Sequence, residues 1–375
     1  MYLSKLKLKN FRNYRNLKLN LSSGINIFIG DNAQGKTNIL ESVYVLALTK
    51  SPRFGADNNL IYYGFEEGNI EGVLKNSKKM NELSVTLSKN NKKVSMNGKN
   101  ISKISDYIFN MKVIMFGPED LDIIKGTPQD RRNFMNIQIS QLYAPYVHYL
   151  NEYNKILKNR NEYLKLMNLN QYTDVRYLEI LDEKLIDRAV LIYKYRNEYF
   201  NFIASKIGSI FKKIVGEDCL NIKLENNLDL LTYEEEEIRK KFLKKLKANR
   251  KKEILQGTTL YGPHRDDFCF FLGENNMKIF ASQGQQRMAI ICFKLIEIEL
   301  FNELLHTTPI LLLDDIFSEL DVKKRNQLVR YLPTNVQVII TTTDLKNISK
   351  KLVEKGRVFI VKNGNVEEKA GWVYE

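Results

Sequence analysis

Ile25-Asn26-Ile27-Phe28-Ile29-Gly30-Asp31-Asn32-Ala33-Gln34-Gly35-Lys36-Thr37 decides the fold class. Ile25–Ile29 is a nearly continuous apolar run, as in a strand covered on both faces. Gly30 to Thr37 fits GxxxxGK(S/T), a loop whose backbone N–H groups cradle phosphates. The glycines let Gly30, Asp31, Asn32, Ala33, Gln34 and Gly35 curl around the anion. Lys36 then reaches the β- and γ-phosphates, and the Thr37 hydroxyl ligates Mg²⁺. Thr37–Leu48 reads as a helix, so its N-terminal partial charge adds to anion binding. A glycine turn with an exposed lysine is the competing reading, and it leaves the flanking strand and helix unexplained. The sequence therefore calls for ATP and Mg²⁺.

Outward from this stretch, Tyr2–Lys9 and Leu17–Leu21 alternate apolar and polar residues, as half-buried antiparallel strands do. Asn69–Leu74, Leu83–Ser88 and Lys93–Met96 alternate likewise. Asn97-Gly98 predicts a type I′ turn, whose two central residues need positive φ. From Tyr143 to Val215 the pattern is helical: Leu178, Leu181, Leu185, Ala189, Ile192, Tyr195, Tyr199, Phe202 and Ile203 form one apolar stripe. Glu234–Lys252 starts acidic and ends basic, as the helix dipole favours, with Ile238, Phe242, Leu243 and Leu246 facing inward. From Thr258 the pattern is α/β again: a helix over Ser282–Leu305, strands over Pro309–Leu313 and Val336–Thr341, and a hairpin over Gly356–Val366 turning at Asn363-Gly364. The expectation is one α/β domain made from residues 1–115 and 258–375, interrupted by a mainly helical lobe over 116–257. The segment around Ser282 is expected nearer that lobe.

The strand Ile310–Leu313 delivers Asp314 and Asp315 at its end, where parallel sheets bind ligands. Asp314 suits the Mg²⁺ shell and Asp315 a general base for the attacking water; two adjacent acids also suit a plain solvated loop start. Ser282-Gln283-Gly284-Gln285 suits a capping box, and the same helix start suits binding of a γ-phosphate. Thr127-Pro128-Gln129-Asp130 reads as N-cap, N1 proline and N3 acid. Arg131 and Arg132 then oppose the helix dipole unless an anion faces them, which favours an interlobe or DNA contact. His264-Arg265-Asp266-Asp267 reads as an ion-paired structural turn, and Arg239–Lys252 as a solvated helix face. The tyrosines from Tyr143 to Tyr199 read mostly as core rather than as stacking platforms for bases.

The chain has 375 residues, with 58 Lys+Arg against 44 Asp+Glu, a net charge of +14. That balance attracts polyanions, nucleic acid before acidic membrane surfaces, although a Lys-rich surface also occurs without a ligand. Cys219, Cys269 and Cys292 are scattered, as are His148, His264 and His306, so neither a disulfide framework nor a structural zinc site is expected. The N-terminus has no signal-peptide apolar stretch, and no uncharged run approaches the ~20 residues that span a bilayer. A soluble, cytoplasmic protein with no membrane partner is expected.

The order of strand, phosphate loop, helical insertion, Ser282-Gln283-Gly284-Gln285-Gln286, Leu311-Leu312-Leu313-Asp314-Asp315 and Ser318-Glu319-Leu320-Asp321 is similar to the SMC-like ABC ATPases. Lys36 and Asp314 are 278 residues apart (36 to 314), room for a compact lobe but not for a long coiled coil. Asn10-Phe11-Arg12-Asn13-Tyr14, Asn38-Ile39-Leu40-Glu41, Gly117-Pro118-Glu119-Asp120-Leu121, Arg131-Arg132 and Gly262-Pro263-His264-Arg265-Asp266-Asp267 resemble the RecF recombination and gap-repair family. The resemblance implies an ABC-type ATPase head with flanking antiparallel strands and an inserted helical lobe. It implies an ATP-dependent homodimer, in which Ser282, Gly284 and Gln285 of one subunit bind nucleotide on the other, and Arg12 reaches the phosphates. It also implies a clamp on gapped or single-strand/duplex junction DNA that works with RecR and RecO to load RecA in repair, replication and the SOS response. Its ATP hydrolysis would be slow and regulatory, stimulated weakly by DNA. Departures from the ABC pattern are Gln285 for glycine, Asp315 for glutamate, Thr341-Thr342-Thr343-Asp344 for a switch histidine, and no glutamine in Met115–Glu119; they fit slow turnover. An ABC subunit driving another partner, in transport or chromosome organisation, shares this chemistry but expects the histidine. A nuclease-coupled ATPase lacks its carboxylate cluster after Thr343, and a kinase leaves the later motifs as coincidences.

Overall fold

The computed structural model describes residues 1–53, 59–76, 79–89, 91–169, 174–216, 220–333 and 335–369. The hairpin of β1 (Tyr2–Phe11) and β2 (Tyr14–Asn20) precedes β3 (Ile25–Ile29), which leads through the glycine loop into α1 (Lys36–Leu48). A meander of β4 (Glu67–Lys75), β5 (Met80–Ser88), β6 (Asn91–Met96) and β7 (Lys99–Ile101) follows, then α2 (Ile104–Tyr107) and β8 (Val113–Phe116). The helical run is α3 (Asp122–Lys125), α4 (Pro128–Leu142), α5 (Ala144–Asn168) and α6 (Val175–Val215). β9 (Leu220–Glu225), α7 (Glu235–Gln256), β10 (Asp267–Leu272) and β11 (Asn275–Asn276) come next, then α8 (Met277–Phe280) and α9 (Gln283–Leu305). The chain ends with β12 (Ile310–Asp314), α10 (Val322–Tyr331), β13 (Val338–Thr342), α11 (Lys350–Lys355), β14 (Gly356–Lys362) and β15 (Asn365–Lys369). Cys219 lies outside the described residues; Cys269 and Cys292 are free thiols.

Two compact units emerge. The first comprises Met1–Leu121, Ile210–Gly216 and Ile290–Glu375. It holds an antiparallel sheet ordered β2-β1-β4-β5-β6-β7 and a second sheet ordered β15-β14-β3-β13-β12-β8. In the second sheet β14, β3, β13, β12 and β8 run parallel, and only β15 is antiparallel. β12 and β13 are buried at every residue, which is why they read as unbroken apolar runs rather than alternating ones. α1 packs on both sheets, and Ile39, Leu40, Val43, Val45 and Leu46 are fully buried. A helix apolar nearly all round belongs inside. The Asn97-Gly98 and Asn363-Gly364 turns both have positive φ at each residue, as their hairpins require.

The second unit comprises Asp122–Ser209 and Glu217–Ala289. The sequence reading returned to the α/β domain at Thr258; here residues 258–289 fall in the helical unit. The reason is pairing: β10 zips antiparallel onto β9 over Asp267–Leu272, and Asp267 holds Arg131 of α4. Leu178 and Leu181 of the predicted stripe pack with Tyr163, Leu164 and Met167 of α5. Tyr195 and Phe202 are only half-buried, as is Leu243 of α7. The space is taken instead by buried Tyr193, Phe200 and Arg196, which single-stripe periodicity does not anticipate.

Charges inside this unit are matched. Arg160 of α5, fully buried, donates to Asp182 of α6 at 2.6 Å, Glu253 of α7 at 2.8 Å and the Thr259 hydroxyl at 2.8 Å. On α4, Thr127 is the expected N-cap and Asp130 the expected N3 acid, and together they form a capping box. The anion facing the first turn is not DNA: Arg131 is buried and donates twice to Asp267, at 2.7 and 2.6 Å, and to the Gly126 carbonyl at 2.9 Å. The favoured interlobe or DNA contact is therefore corrected for Arg131. The basic run of α7 is locally neutralised too, by Arg239–Asp187, Lys241–Glu237, Lys245–Asp229 and Arg250–Glu179 pairs.

Removing one member of a buried ionic set strands the rest without solvent or partner. We expect Arg160→Met to cost about 3–5 kcal/mol, measured as a lower urea midpoint, whereas exposed Lys247→Met leaves the midpoint unmoved.

Candidate nucleotide site

Close approach dictates the glycine loop of the first unit. A Cβ on Gly30 would lie 2.3 Å from the Val361 carbonyl oxygen of β14, and one on Gly35 2.3 Å from Asn13 Nδ2. Gly35 also has φ 108° and caps α1, while Ala33 takes φ 63°. The turn between β1 and β2 braces the loop. The Tyr14 hydroxyl donates to the Gly35 carbonyl at 3.0 Å, the Asn13 amide to the Gln34 carbonyl at 3.3 Å, and the Asn38 amide to Asn13 Oδ1 at 2.8 Å. From the β14–β15 turn, the Asn363 N–H donates to Gln34 Oε1 at 2.6 Å. Asp31, Asn32 and Ala33 remain exposed at the crest.

Lys36 lies buried under that crest, and its Nζ donates to the carbonyls of Gly30 at 2.6 Å and Asp31 at 2.7 Å. Burial pulls its pKa below the ordinary lysine value, against the opposing pull of Asp315, Asp314 and Asp31. The ammonium is thus folded onto neutral carbonyls in a carboxylate-rich setting, and an arriving phosphate gives it a better partner. Thr37 Oγ1 donates to Asp314 Oδ1 at 2.9 Å, and Thr341 Oγ1 donates to the same oxygen at 2.6 Å. Burial raises the Asp314 pKa, while those two hydroxyls pull it back.

Asp315 sits one residue past the strand at φ 50°. Its N–H is fixed by the Thr341 hydroxyl at 3.1 Å and the Thr341 carbonyl at 3.3 Å. Its Oδ1 is shielded from solvent and has no hydrogen-bond partner among the described residues. A buried carboxylate oxygen without a partner is costly, so this one is set up for a ligand or water.

Gly30 to Thr37, Asp314 and Asp315 therefore come together within one unit. Arg12 is spent elsewhere: its guanidinium pairs with Glu41 of α1 at 2.8 and 2.7 Å and with the Asn59 carbonyl at 2.9 Å. Ser282, Gly284 and Gln285 start α9 in the second unit. The Ser282 N–H donates to Gln285 Oε1 at 3.0 Å and the Gln285 N–H to Ser282 Oγ at 3.2 Å, the capping box expected. Ser282 and Gly284 are exposed, next to Ile279 and Phe280, which are 72% and 69% exposed. In the Ser318–Asp321 segment, Asp321 caps α10 by accepting from the Lys324 N–H at 2.9 Å.

Sequence reasoning missed Asn13 and Tyr14 as loop braces, Thr341 as the link between the two acids, and Lys294. That lysine of α9 is buried and donates to the Met115 carbonyl and the Asp120 carboxylate. A lone lysine in an apolar helix, Ile290–Phe301, was the available signal.

The family described as RecF/RecN/SMC N terminal domain matches residues 2–367. The DNA replication and repair protein RecF of Lactobacillus johnsonii is 40% identical over 98% of this chain and 100% of its own length. That of Bacillus mycoides is 37% identical over 98% of each chain. The chain belongs to the RecF family. Among solved structures, the recombination mediator protein RecF with ATP, described for the RecFOR pathway, superposes with a TM-score of 0.91 at 31% identity, covering 98% of each chain. An Smc head domain from Pyrococcus furiosus shares the fold alone, at TM-score 0.52 and 14% identity. The RecF fold is thus a mixed α/β ATPase head carrying antiparallel strands and a helical lobe.

Thr341→Val keeps the shape but removes the second donor to Asp314 and the hydroxyl acceptor of the Asp315 N–H. We expect a loss of about 1–3 kcal/mol, measured as a lower thermal midpoint, with Thr341→Ser restoring most of it.

Proposed function

We propose that this chain is an ATP-dependent DNA repair and replication protein that closes as a dimeric clamp on gapped or single-strand/duplex junction DNA. The observation that carries the reading is the convergence of Lys36, Thr37, Asp314 and Asp315, whose Oδ1 has no partner among the described residues, at the ends of a parallel sheet. Two hard oxygen donors, the Thr37 hydroxyl and the Asp314 carboxylate, share one hydrogen bond and fit Mg²⁺. Held by Thr37 and Asp314, the metal would supply charge neutralisation at the phosphates.

The residues of this chain do the rest. Lys36 swings from the Gly30 and Asp31 carbonyls onto the phosphates, and the loop N–H groups and α1 hold them in line. Asp315 takes a proton from water as the water oxygen attacks the γ-phosphorus; the bond to the bridging oxygen breaks, leaving ADP and inorganic phosphate. Asp is one methylene shorter than Glu, which keeps this step slow and suits a timer.

Ser282, Gly284 and Gln285 complete the site of a second copy, and exposed Ile279 and Phe280 flank that contact. Large exposed apolar side chains beside a polar recognition segment suit an interface. Glu41 holds Arg12, so its reach to the phosphates requires exchanging that ion pair. The net charge of +14 supports sequence-tolerant binding through DNA phosphates. Cooperation with RecR and RecO in loading RecA, in the cytoplasm, completes the reading; no helix among the described residues is long and apolar enough to cross a membrane.

Light scattering of Asp315→Asn with Mg-ATP tests it. A doubling of mass on adding ATP is expected, together with loss of ATP-dependent DNA affinity in Lys36→Ala. A monomer with ATP demonstrably bound, with or without DNA, would remove Ser282 and Gly284 from the nucleotide site.

A further inference from the structure

In the helical unit, α4 turns Gln129, Arg132, Asn133 and Asn136 toward a polar cavity of about 210 Å³, lined also by Tyr153, Asn154, Arg196 and His264. Which groups are left over in it follows from one fact: a guanidinium only donates. Arg132 Nη2 lies 3.1 Å from Gln129, which therefore turns its oxygen there. The nitrogen end of Gln129 then donates to Asn133 Oδ1 at 2.9 Å, leaving the Asn133 amide NH₂ without a partner among the described residues. Arg196 Nη2 reaches Asn136 Oδ1 at 3.2 Å, and the Tyr146 hydroxyl donates to the same oxygen at 2.6 Å. The Asn136 NH₂ is left over in the same way.

The histidine and the nearby carboxylates are also spent. His264 Nε2 faces the Thr259 carbonyl at 3.1 Å and must carry the hydrogen, so Nδ1 accepts from the Tyr153 hydroxyl at 2.7 Å. Burial above all, with Arg265, Arg132 and Arg196 nearby, pushes His264 down to about 4 and keeps it neutral, although its bond to Thr259 works the other way. The Asp266 carboxylate is taken by Arg196 and Tyr193, and that of Asp267 by Arg131. Arg132 spends two N–H groups, on Gln129 and on the Asp266 carbonyl at 3.0 Å, and a guanidinium has five. Four arginines, Arg131, Arg132, Arg196 and Arg265, stand here against three carboxylates, Asp266, Asp267 and Glu225. The cavity thus offers N–H donors beside excess positive charge, and the acceptors left in it are the Asn154 amide oxygen and the Tyr153 hydroxyl oxygen.

We propose that this cavity is a phosphate-binding pocket whose occupant is one phosphate of a nucleic-acid strand. A tetrahedral anion with only acceptor oxygens matches the leftover donors and the excess of arginines, which repels a cationic amine. The strand as source rests on the DNA reading above; the phosphate chemistry rests on the cavity alone.

The test uses the full chain with residues 30–37 saturated by a non-hydrolysable ATP analogue and Mg²⁺. Inorganic phosphate is titrated at constant ionic strength while the Asn133 side-chain amide NMR signal, assigned through its loss in Asn133→Asp, is followed. A saturable shift, at least tenfold weaker in affinity in Arg132→Gln, supports the pocket. No shift, an unchanged affinity in Arg132→Gln, or an equal shift with chloride overturns it. The second arm measures DNA affinity against salt: Asn133→Asp should lower the slope of log affinity against log salt by about one. An unchanged slope overturns the strand as the source. If the wild type binds no DNA at all, the clamp reading and the strand as source both fall, while the phosphate titration still decides the pocket.

Discussion

One carboxylate oxygen, Asp314 Oδ1, holds the ends of three segments together. It accepts from Thr37 at the head of α1 and from Thr341 near the end of β13, while its own backbone closes β12. Burying a carboxylate is costly without donors, so the sheet closes only in the register that brings both hydroxyls to it. That register is the one in which Asp314 stands beside Thr341 and Thr342 beside Ile29, one residue before the glycine loop. The satisfied oxygen and the loop's position are therefore the same fact about the sheet.

The helical unit solves a different problem in a similar way. Its long helices are too rich in Lys, Glu and Asn to be tied by apolar contacts alone, and two fully buried arginines take over the joints. Arg160 joins α5, α6 and α7, and Arg196 joins α6 to Asn136 of α4, to Asp266 and to the Pro263 carbonyl. A guanidinium presents five donors in a fixed fork, so it sets direction as well as attraction. That explains why Gly262-Pro263-His264-Arg265-Asp266-Asp267 is a structural knot: its side chains and carbonyls meet Tyr153, Tyr193, Arg131, Arg132 and Arg196.

Local signals were legible in the sequence. The glycine loop, the adjacent acids, the N-cap at Thr127, the capping box at Ser282 and the Asn-Gly turns are each written within a few consecutive residues, so local spacing exposes them. Partners far apart in the chain were not. Asn13 and Tyr14 meet the loop 21 residues on, Thr341 meets Asp314 across a strand pair, and Lys294 meets Asp120 at a separation of 174 residues. Arg131 was misread for the same reason: the anion that its helix start demands is Asp267, 136 residues away. The periodicity that located α6 could not reveal that Arg196 lies inside, because hydrophobic period says nothing about a polar residue whose partners come from other segments.

The departure at Asp315 has a backbone cause. The residue after Asp314 must turn sharply out of a fully buried strand, and it does so at φ 50°, a conformation that side chains visit most readily when they are Asn or Asp, short and polar. The same turn brings its N–H onto Thr341 and leaves its Oδ1 shielded and without a partner among the described residues. Glutamate would carry its carboxylate farther toward the phosphates but lose the side chain's tolerance of the left-handed turn. If Asp315 is the base proposed above, backbone geometry and catalytic reach pull in opposite directions at this position, and the left-handed turn favours the backbone. On the proposed reading of Asp315 as the base, a short side chain beside a well-braced phosphate loop makes a site that grips nucleotide more readily than it turns it over.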